Sequence, residues 1–301
     1  MSKSKIIIVS IVFWLLAPVG LFAFEISTFS DVKVTGDVLL RPAKVEMSVG
    51  RGTSNIRFLD VLNRTGKDEI FNVDVEDFSS ENDSNGISLN NTVNGLDSSL
   101  KKYITASTSR FVLSHGQQAH IPIMINIPQN ILSGGLYGVV LVSGRPLSNV
   151  VGAANFVTRM GSLFFVKING AVKQSGRLES FTFYDKKFGI QFENSGDIYL
   201  NPYGIINMYE YYSHKLVKKI AIDPWFVLPR STRTRYISID NLTPGKYIAE
   251  ITLNRGYENL LDNDFVSFEV RDNTIFRGWL PEIILVTVVL MVLFLYVWKK
   301  V

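Results

Sequence analysis

The chain has 301 residues, of which 47% are hydrophobic and 19% charged; it has three histidines and no cysteine. That length suits about two domains, and the composition excludes wholesale disorder. The missing thiols exclude a disulfide scaffold, a Cys-ligated metal, a Cys nucleophile and a lipidated N-terminal Cys. The formal net charge of +4 belongs to the chain ends, where Lys3 and Lys5 precede the first apolar run and Lys299 and Lys300 follow the last. Between them the charges nearly balance. The basicity therefore marks membrane-targeting flanks, and nucleic acid is dropped as a partner.

Residues 1–23 read as a secretory signal peptide. A Lys-bearing start leads into an apolar run over 6–17, a break at Pro18–Gly20 and a cleavage point at Ala23. Leu21 is bulky for the position it would hold before that point, which keeps an uncleaved anchor open as the alternative. Either way the body of the chain lies outside the cytoplasm.

From residue 32 to 171 the chain is a succession of short alternating runs separated by Gly, Pro, Asn and Asp clusters, the pattern of an all-β sandwich. Strands are expected at 38–40, 44–49, 56–63, 69–78, 119–127, 135–143 and 155–169. In 120–128 (HIPIMINIP) the alternation puts Ile121, Ile123, Ile125 and Ile127 on one face and Met124 on the other. Pro122 and Pro128 favour the margin of a sheet. The polar connection after Phe78 holds Glu81, Asp83, Asn85 and Gly86, which resemble the start of a calcium loop with oxygens at alternate positions. Thr92 stands where such a loop carries its bidentate Glu, so a solvated acidic loop is the leading reading and no metal is expected. In the connection 146–155, Val150 and Val151 make a partly apolar tip that either packs on the sandwich or meets a partner.

A second sandwich is expected over 172–272, with strands at 178–184, 188–194, 204–212, 216–222, 235–239, 245–253 and 264–271. Tyr247, just inside a strand after Leu242, Pro244 and Gly245, matches the tyrosine-corner arrangement of Ig-like domains. Its hydroxyl should bond backbone across the corner. Arg230, Arg233 and Arg235 form a basic run, with the last two expected on one face, where they either sit in solvent or meet carboxylates or phosphates. Tyr209 and Tyr211 are expected to share a face suited to sugar rings or proteins, or to the core. Residues 279–298 then give 20 residues of apolar helix, the length of a membrane span, with Trp279, Tyr296 and Trp298 as interfacial anchors. Residues 299–301 are a cytoplasmic tail.

A signal peptide, two Ig-like sandwiches and a C-terminal helix with a Lys tail resemble the bacterial surface proteins called WxL-interacting proteins. The residues carrying the resemblance are 56–80, 111–130 and 134–144 in the first domain and 192–196, 201–204, 227–236 and 244–253 in the second. The resemblance implies a non-enzymatic, membrane-anchored surface protein, its first domain associated with peptidoglycan and its second with proteins. The stretch ending at Asn130 (INIPQN) also resembles periplasmic pilus chaperones. Those are soluble, and the expected anchor argues against that role.

No GxSxG, no HExxH and no phosphate-cradling glycine loop is present, so no enzyme and no cofactor is expected. The fold class expected is all-β, two tandem Ig-like sandwiches plus a C-terminal transmembrane helix. The expected function is a single-pass binding or scaffold protein of the bacterial cytoplasmic membrane, its ectodomain extracytoplasmic, engaging cell-wall polymer or surface proteins. The alternative is an accessory or chaperone-like subunit of an envelope assembly. Sheet edges would let either one add a partner's strand by backbone hydrogen bonds.

Overall fold

The computed structural model describes residues 23–80, 86–89, 98–147, 157–271, 287–291 and 298. In chain order the strands are β1 (Glu25–Thr28), β2 (Val38–Arg41), β3 (Lys44–Val49), β4 (Ser54–Asn63), β5 (Glu69–Glu76), β6 (Ser79–Ser80), β7 (Ile87–Ser88), β8 (Ile104–Ala106), β9 (Arg110–Leu113), β10 (Gln117–Asn126), β11 (Gly134–Pro146) and β12 (Thr158–Ile168). They continue with β13 (Gly176–Tyr184), β14 (Lys187–Asn194), β15 (Tyr203–Glu210), β16 (Leu216–Ile222), β17 (Ser231–Ser238), β18 (Gly245–Asn254) and β19 (Leu261–Val270). The chain divides into two compact units, Met1–Ser79 with Ile87–Val172 and Ser80–Gly86 with Lys173–Val301. Both are all-β.

The signal peptide expected over 1–23 lies outside the described residues except for Ala23, and so does most of the membrane helix expected over 279–298. Within the latter, residues 287–291 are helical with exposed side chains. Among the described residues no helix is long and apolar enough to cross a membrane.

The first unit has two five-stranded sheets. One runs β1-β10-β4-β2 with β8 also on β10, the other β3-β12-β11-β5-β9. The alternation read in β10 is realised: Ile121, Ile123 and Ile125 are fully buried, while Met124 points out at 38% exposure. Each buried Ile contributes about 1.5–3 kcal/mol through area removed from water. Pro122 departs from expectation, because β10 is an inner strand paired to β4 along its length. On the other flank of β10, β1 pairs up to His120 and β8 from Ile123 onward. Pro122 falls in the gap between them, where its missing N–H breaks no ladder bond. The facing core comes from Val140, Val142, Phe164, Val166 and Ile168, with Phe71 stacked on Phe111 at 5.2 Å.

The second unit packs a three-stranded sheet, β13-β14-β17, and a four-stranded sheet, β16-β15-β18-β19. Phe188, Ile190 and Phe192 meet Ile206, Met208, Ala249 and Ile251 in its core. Tyr247 is 4% exposed and its hydroxyl donates to the Thr243 carbonyl at 2.8 Å, the corner bond expected of it.

Among the described residues, each unit has one fully buried asparagine at the end of a strand. Asn63 closes β4; its amide donates to Lys67 O (2.7 Å) and Leu113 O (2.8 Å), and its Oδ1 accepts from Thr65 N (2.9 Å). Asn194 closes β14 in the same way, donating to Ile198 O and Val227 O and accepting from Gly196 N, each at 2.9 Å. One side chain thus fixes the turn behind it and ties that turn to a neighbouring strand. Asn194→Ala strips the Ile198 carbonyl and the Gly196 N–H of this partner and leaves Val227 O only its bond from Leu200 N, and should cost about 2–4 kcal/mol, read as a lower urea midpoint. Asn194→Asp should cost as much, since a carboxylate cannot donate to either carbonyl.

Glu69, 6% exposed, sits in β5 beside the turn behind Asn63. Burial pushes its carboxyl above the ordinary glutamate range, against the opposing hydrogen bond from Thr65 and charge of Lys67. An acid raised by folding favours the folded state while protonated, and that advantage is lost as pH rises through its folded value. Glu69→Gln should therefore be more stable than the parent at about pH 7, and the gain should vanish at about pH 3.5, as urea titrations at the two pH values would show.

Candidate functional site

In the first unit one length of chain serves both sheets. β2 pairs with β4 over Val38↔Asn63 to Arg41↔Asp60. The chain then crosses at Arg41–Pro42, whose peptide bond is cis, and β3 joins the other sheet parallel to β12, from Lys44↔Leu163 to Val49↔Ile168. The crossing is held by Ser162 Oγ donating to Pro42 O at 2.7 Å and by Leu163 N donating to Ala43 O at 2.9 Å.

Because the ribbon is shared, it covers half of each neighbour. β12 pairs with β11 over its whole length, Thr158↔Gly144 to Ile168↔Gly134. On its other side β3 reaches only residues 163–168, so residues 158–161 form an edge with no strand beside it among the described residues. Thr158, Arg159 and Gly161 are exposed there, while Met160 turns toward the core. β4 shows the same at the other end of the ribbon, with residues 54–59 beyond the reach of β2. There Arg57 Nη1 donates back to Ile56 O at 2.8 Å and occupies an edge carbonyl. On the outward face of β4, His120 stacks on Phe58 (4.3 Å, 14°) with Nδ1 2.7 Å from Asp60 Oδ1.

The arginines named from the sequence part company. Arg230 precedes β17 with φ +53°, is mostly exposed, and reaches Asp197 Oδ1 at 3.4 Å. Arg233 and Arg235 do share a face, but it is the inward one: they register opposite Phe192 and Ile190, both fully buried. The connection 223–229 caps them. Arg233, 4% exposed, donates from Nη1 to Phe226 O and from Nη2 to Gly86 O, both at 2.8 Å, and lies over the Phe226 ring at 4.3 Å. Gly86 belongs to the same unit. Arg235 donates from Nη1 to Asp223 O at 3.1 Å and lies over Trp225 at 5.5 Å. Burial, then the neighbouring charge of Arg235, holds the Arg233 guanidinium below its ordinary value. Arg233 is therefore not part of an exposed basic face, while Arg235 stays half-exposed beside it.

The tyrosine pairing differs too. Tyr209 lies in β15, but β15 stops at Glu210 and a turn takes Tyr211 out of the alternation. Tyr211 instead meets Tyr212 edge-on at 5.2 Å, both exposed. Glu81, Asp83 and Asn85 of the calcium reading, and Val150 and Val151, lie outside the described residues. Among the described residues no group of three His, Asp or Glu is placed to hold a metal.

No family model matches the chain, and no curated protein does. Among solved structures it is similar to a class 5 fimbriae chaperone, CfaA, at TM-score 0.40 and 11% identity, covering 78% of this chain and 100% of that one. It is similar to a chaperone–tip adhesion subunit pre-assembly complex of archaic Csu pili from Acinetobacter baumannii at TM-score 0.41 and 13% identity, covering 75% and 97%. A third is the Salmonella enterica SafA pilin in complex with the SafB chaperone, at TM-score 0.40 and 13% identity, covering 76% and 96%. Scores of this size mark a loose likeness.

The crossing at Pro42 decides how much of β12 stays uncovered. Ser162→Ala removes the bond to Pro42 O and should cost about 1 kcal/mol. Hydrogen exchange at Leu163, next to the lost bond, should quicken while exchange in β10 stays unchanged.

Proposed function

We propose that the protein binds other proteins of the bacterial envelope by taking an extended partner segment onto the open edge of β12, in the manner of a chaperone-like or accessory assembly subunit. The observation that carries the reading is the uncovered run at residues 158–161, continuous with an edge that β3 already covers. Backbone N–H and C=O groups alternate along such an edge and pair with any extended chain, while side chains on the two faces select which one. Sheet edges of this kind are normally blunted because they template association. Arg57 does this for β4, whereas no side-chain bond to the edge is found at 158–161 among the described residues. The extracytoplasmic location and single membrane anchor belong to the same proposal and are supported by the apolar runs at 6–17 and 279–298.

The edge can be tested by its own geometry. Of two successive strand residues one N–H faces β11 and the other faces the open side. Thr158→Pro and Arg159→Pro therefore separate the two roles: one should destabilise the β11–β12 pairing, and the other should leave stability intact. A photo-crosslinker at exposed Val157, at the start of this edge, in native cells should give a discrete protein adduct, lost in the proline variant that keeps its stability. The same adduct from that variant, or no adduct beyond that of a crosslinker at exposed Tyr184, would overturn the reading.

A further inference from the structure

One end of the second unit gathers its most exposed tyrosines. In the four-stranded sheet Gly245, opening β18, faces Val270, closing β19, and Tyr247 faces Glu210, closing β15. The β15–β16 turn, residues 211–215, therefore stands at the end of the sheet where β19 finishes. The β13–β14 turn lies at this same end. Phe183 beside it stacks on Phe268 of β19 at 3.8 Å, and Lys186 O accepts from Ile239 N, in the connection that enters β18, at 2.8 Å. Tyr184 and Tyr212 stand on these two turns, 85% and 80% exposed, the most exposed tyrosines among the described residues. Tyr211, 42% exposed, meets Tyr212 edge-on.

The β15–β16 turn does not need its tyrosine rings to hold its shape. Glu210 N donates to Lys215 O at 3.0 Å, His214 N to Glu210 O at 3.1 Å and Tyr211 N to Lys246 O at 2.9 Å. Ser213 Oγ adds a bond to Glu210 Oε2 at 2.6 Å. These bonds fasten the turn to the start of β18 and leave both rings in solvent, an ordering cost already met before any partner arrives.

The chain departs for its apolar run from this same end. Arg271 follows β19, and Trp279, where the run begins, comes eight residues later. Eight residues reach at most about 29 Å. β15 and β16 lie two and three strands from β19, about 10 and 14 Å across the sheet. The far end of β18 is ten residues away, about 30 Å further from the departure point. A bilayer crossed by residues 279–298 is thus held within reach of the three tyrosines. Tyrosine suits that border, because its ring favours the apolar side and its hydroxyl the wet side. Lys186, Lys215 and Lys246 share this end with Asp185, Glu210 and Asp240, so its charge nearly cancels and the rings supply the attraction.

We propose that Tyr184, Tyr211 and Tyr212 form a membrane-docking surface that seats this end of the second unit in the headgroup layer of the bilayer its own chain crosses. The inference rests on the membrane anchor of the proposed function and adds a fixed orientation to it. The anchor keeps the unit at high local concentration beside the lipid, so weak ring contacts suffice. The second unit then stands on the membrane instead of turning freely above it.

The chain has no cysteine, so a single spin label can be placed by one substitution. The full chain goes into phosphatidylcholine vesicles with the label at Lys215→Cys on the turn, at Leu260→Cys beyond the far end of β18, or at Leu290→Cys in the apolar run. Collisions of the label with oxygen and with a water-soluble nickel chelate give its depth. The Leu290 label should lie in hydrocarbon, the Lys215 label in the headgroup layer and the Leu260 label in water. Changing Tyr184, Tyr211 and Tyr212 together to Ala should return the Lys215 label to water. Changing all three to Trp should keep its depth, which decides the matter if the Ala variant misfolds. A Lys215 label in water while the Leu290 label is in hydrocarbon overturns the docking surface and leaves the anchor standing. A Leu290 label in water overturns both. A Lys215 depth that the Ala changes do not alter overturns the role of the rings. A photo-crosslinker at Tyr212 that gives a discrete protein adduct in native cells makes this end a protein interface and overturns the proposal as well.

Discussion

One short ribbon of chain has to serve two sheets in the first unit. β2 and β3 together span residues 38–49, and each pairs with a different neighbour. A strand contributes backbone pairing to one sheet at a time, so the residues given to β4 are withheld from β12 and the reverse. The length of the ribbon and the place where it crosses therefore set how much edge stays open at each end. Pro42 marks that crossing. It has no N–H to leave unpaired there, and its carbonyl is taken by Ser162. Open edges at 54–59 and 158–161 follow from this arithmetic of pairing without any further specialisation of the two strands.

The second unit meets a comparable difficulty and closes it with side chains. Its sheet edge at β13 has a register shift between Leu178 and Ser180. There Leu178 N donates to Asp262 Oδ2 at 2.7 Å, and Asp262 is held by Arg255 Nε at 3.0 Å. Gly176 N donates to the Tyr257 hydroxyl at 2.9 Å, and the same hydroxyl donates back to Gly176 O at 3.2 Å. These groups lie between the two sheets of one sandwich, so they cap the edge and fasten the seam at once. A chain able to cap edges in this way shows by contrast what is distinctive at residues 158–161.

Much of the architecture was legible from alternation alone. β10 is the clearest example, because its isoleucines repeat at every second residue and nothing but a strand buries that pattern. Tyr247 was legible because the corner needs a hydroxyl at a fixed offset from the turn. β1, β8 and β9 were missed: each has three or four residues, too few for a period of two to stand out. Pro122 was misjudged because a sequence shows that an N–H is missing but not that two short flanking strands leave a gap opposite it. The arginines failed for a related reason. Parity placed Arg233 and Arg235 on one face correctly, but which face depends on β14, where Phe192 and Ile190 take the core side. Tyr211 failed because alternation was carried one residue past the end of its strand.

Asn63 and Asn194 carry a further lesson about signal. In the sequence both look like ordinary turn residues, and both are completely buried. What makes them structural keystones is that the carbonyls they satisfy come from distant chain, Leu113 in one case and Val227 in the other. No local pattern encodes a partner some tens of residues away. Buried polar groups of this sort are tolerated only when fully paired, and these two are. Trp225 and Arg235 are the contrasting case in the same core region, with donors that the surrounding chain leaves without acceptors. Both donor atoms are closed to solvent as well, so each carries the cost of an unmade bond that the two asparagines avoid.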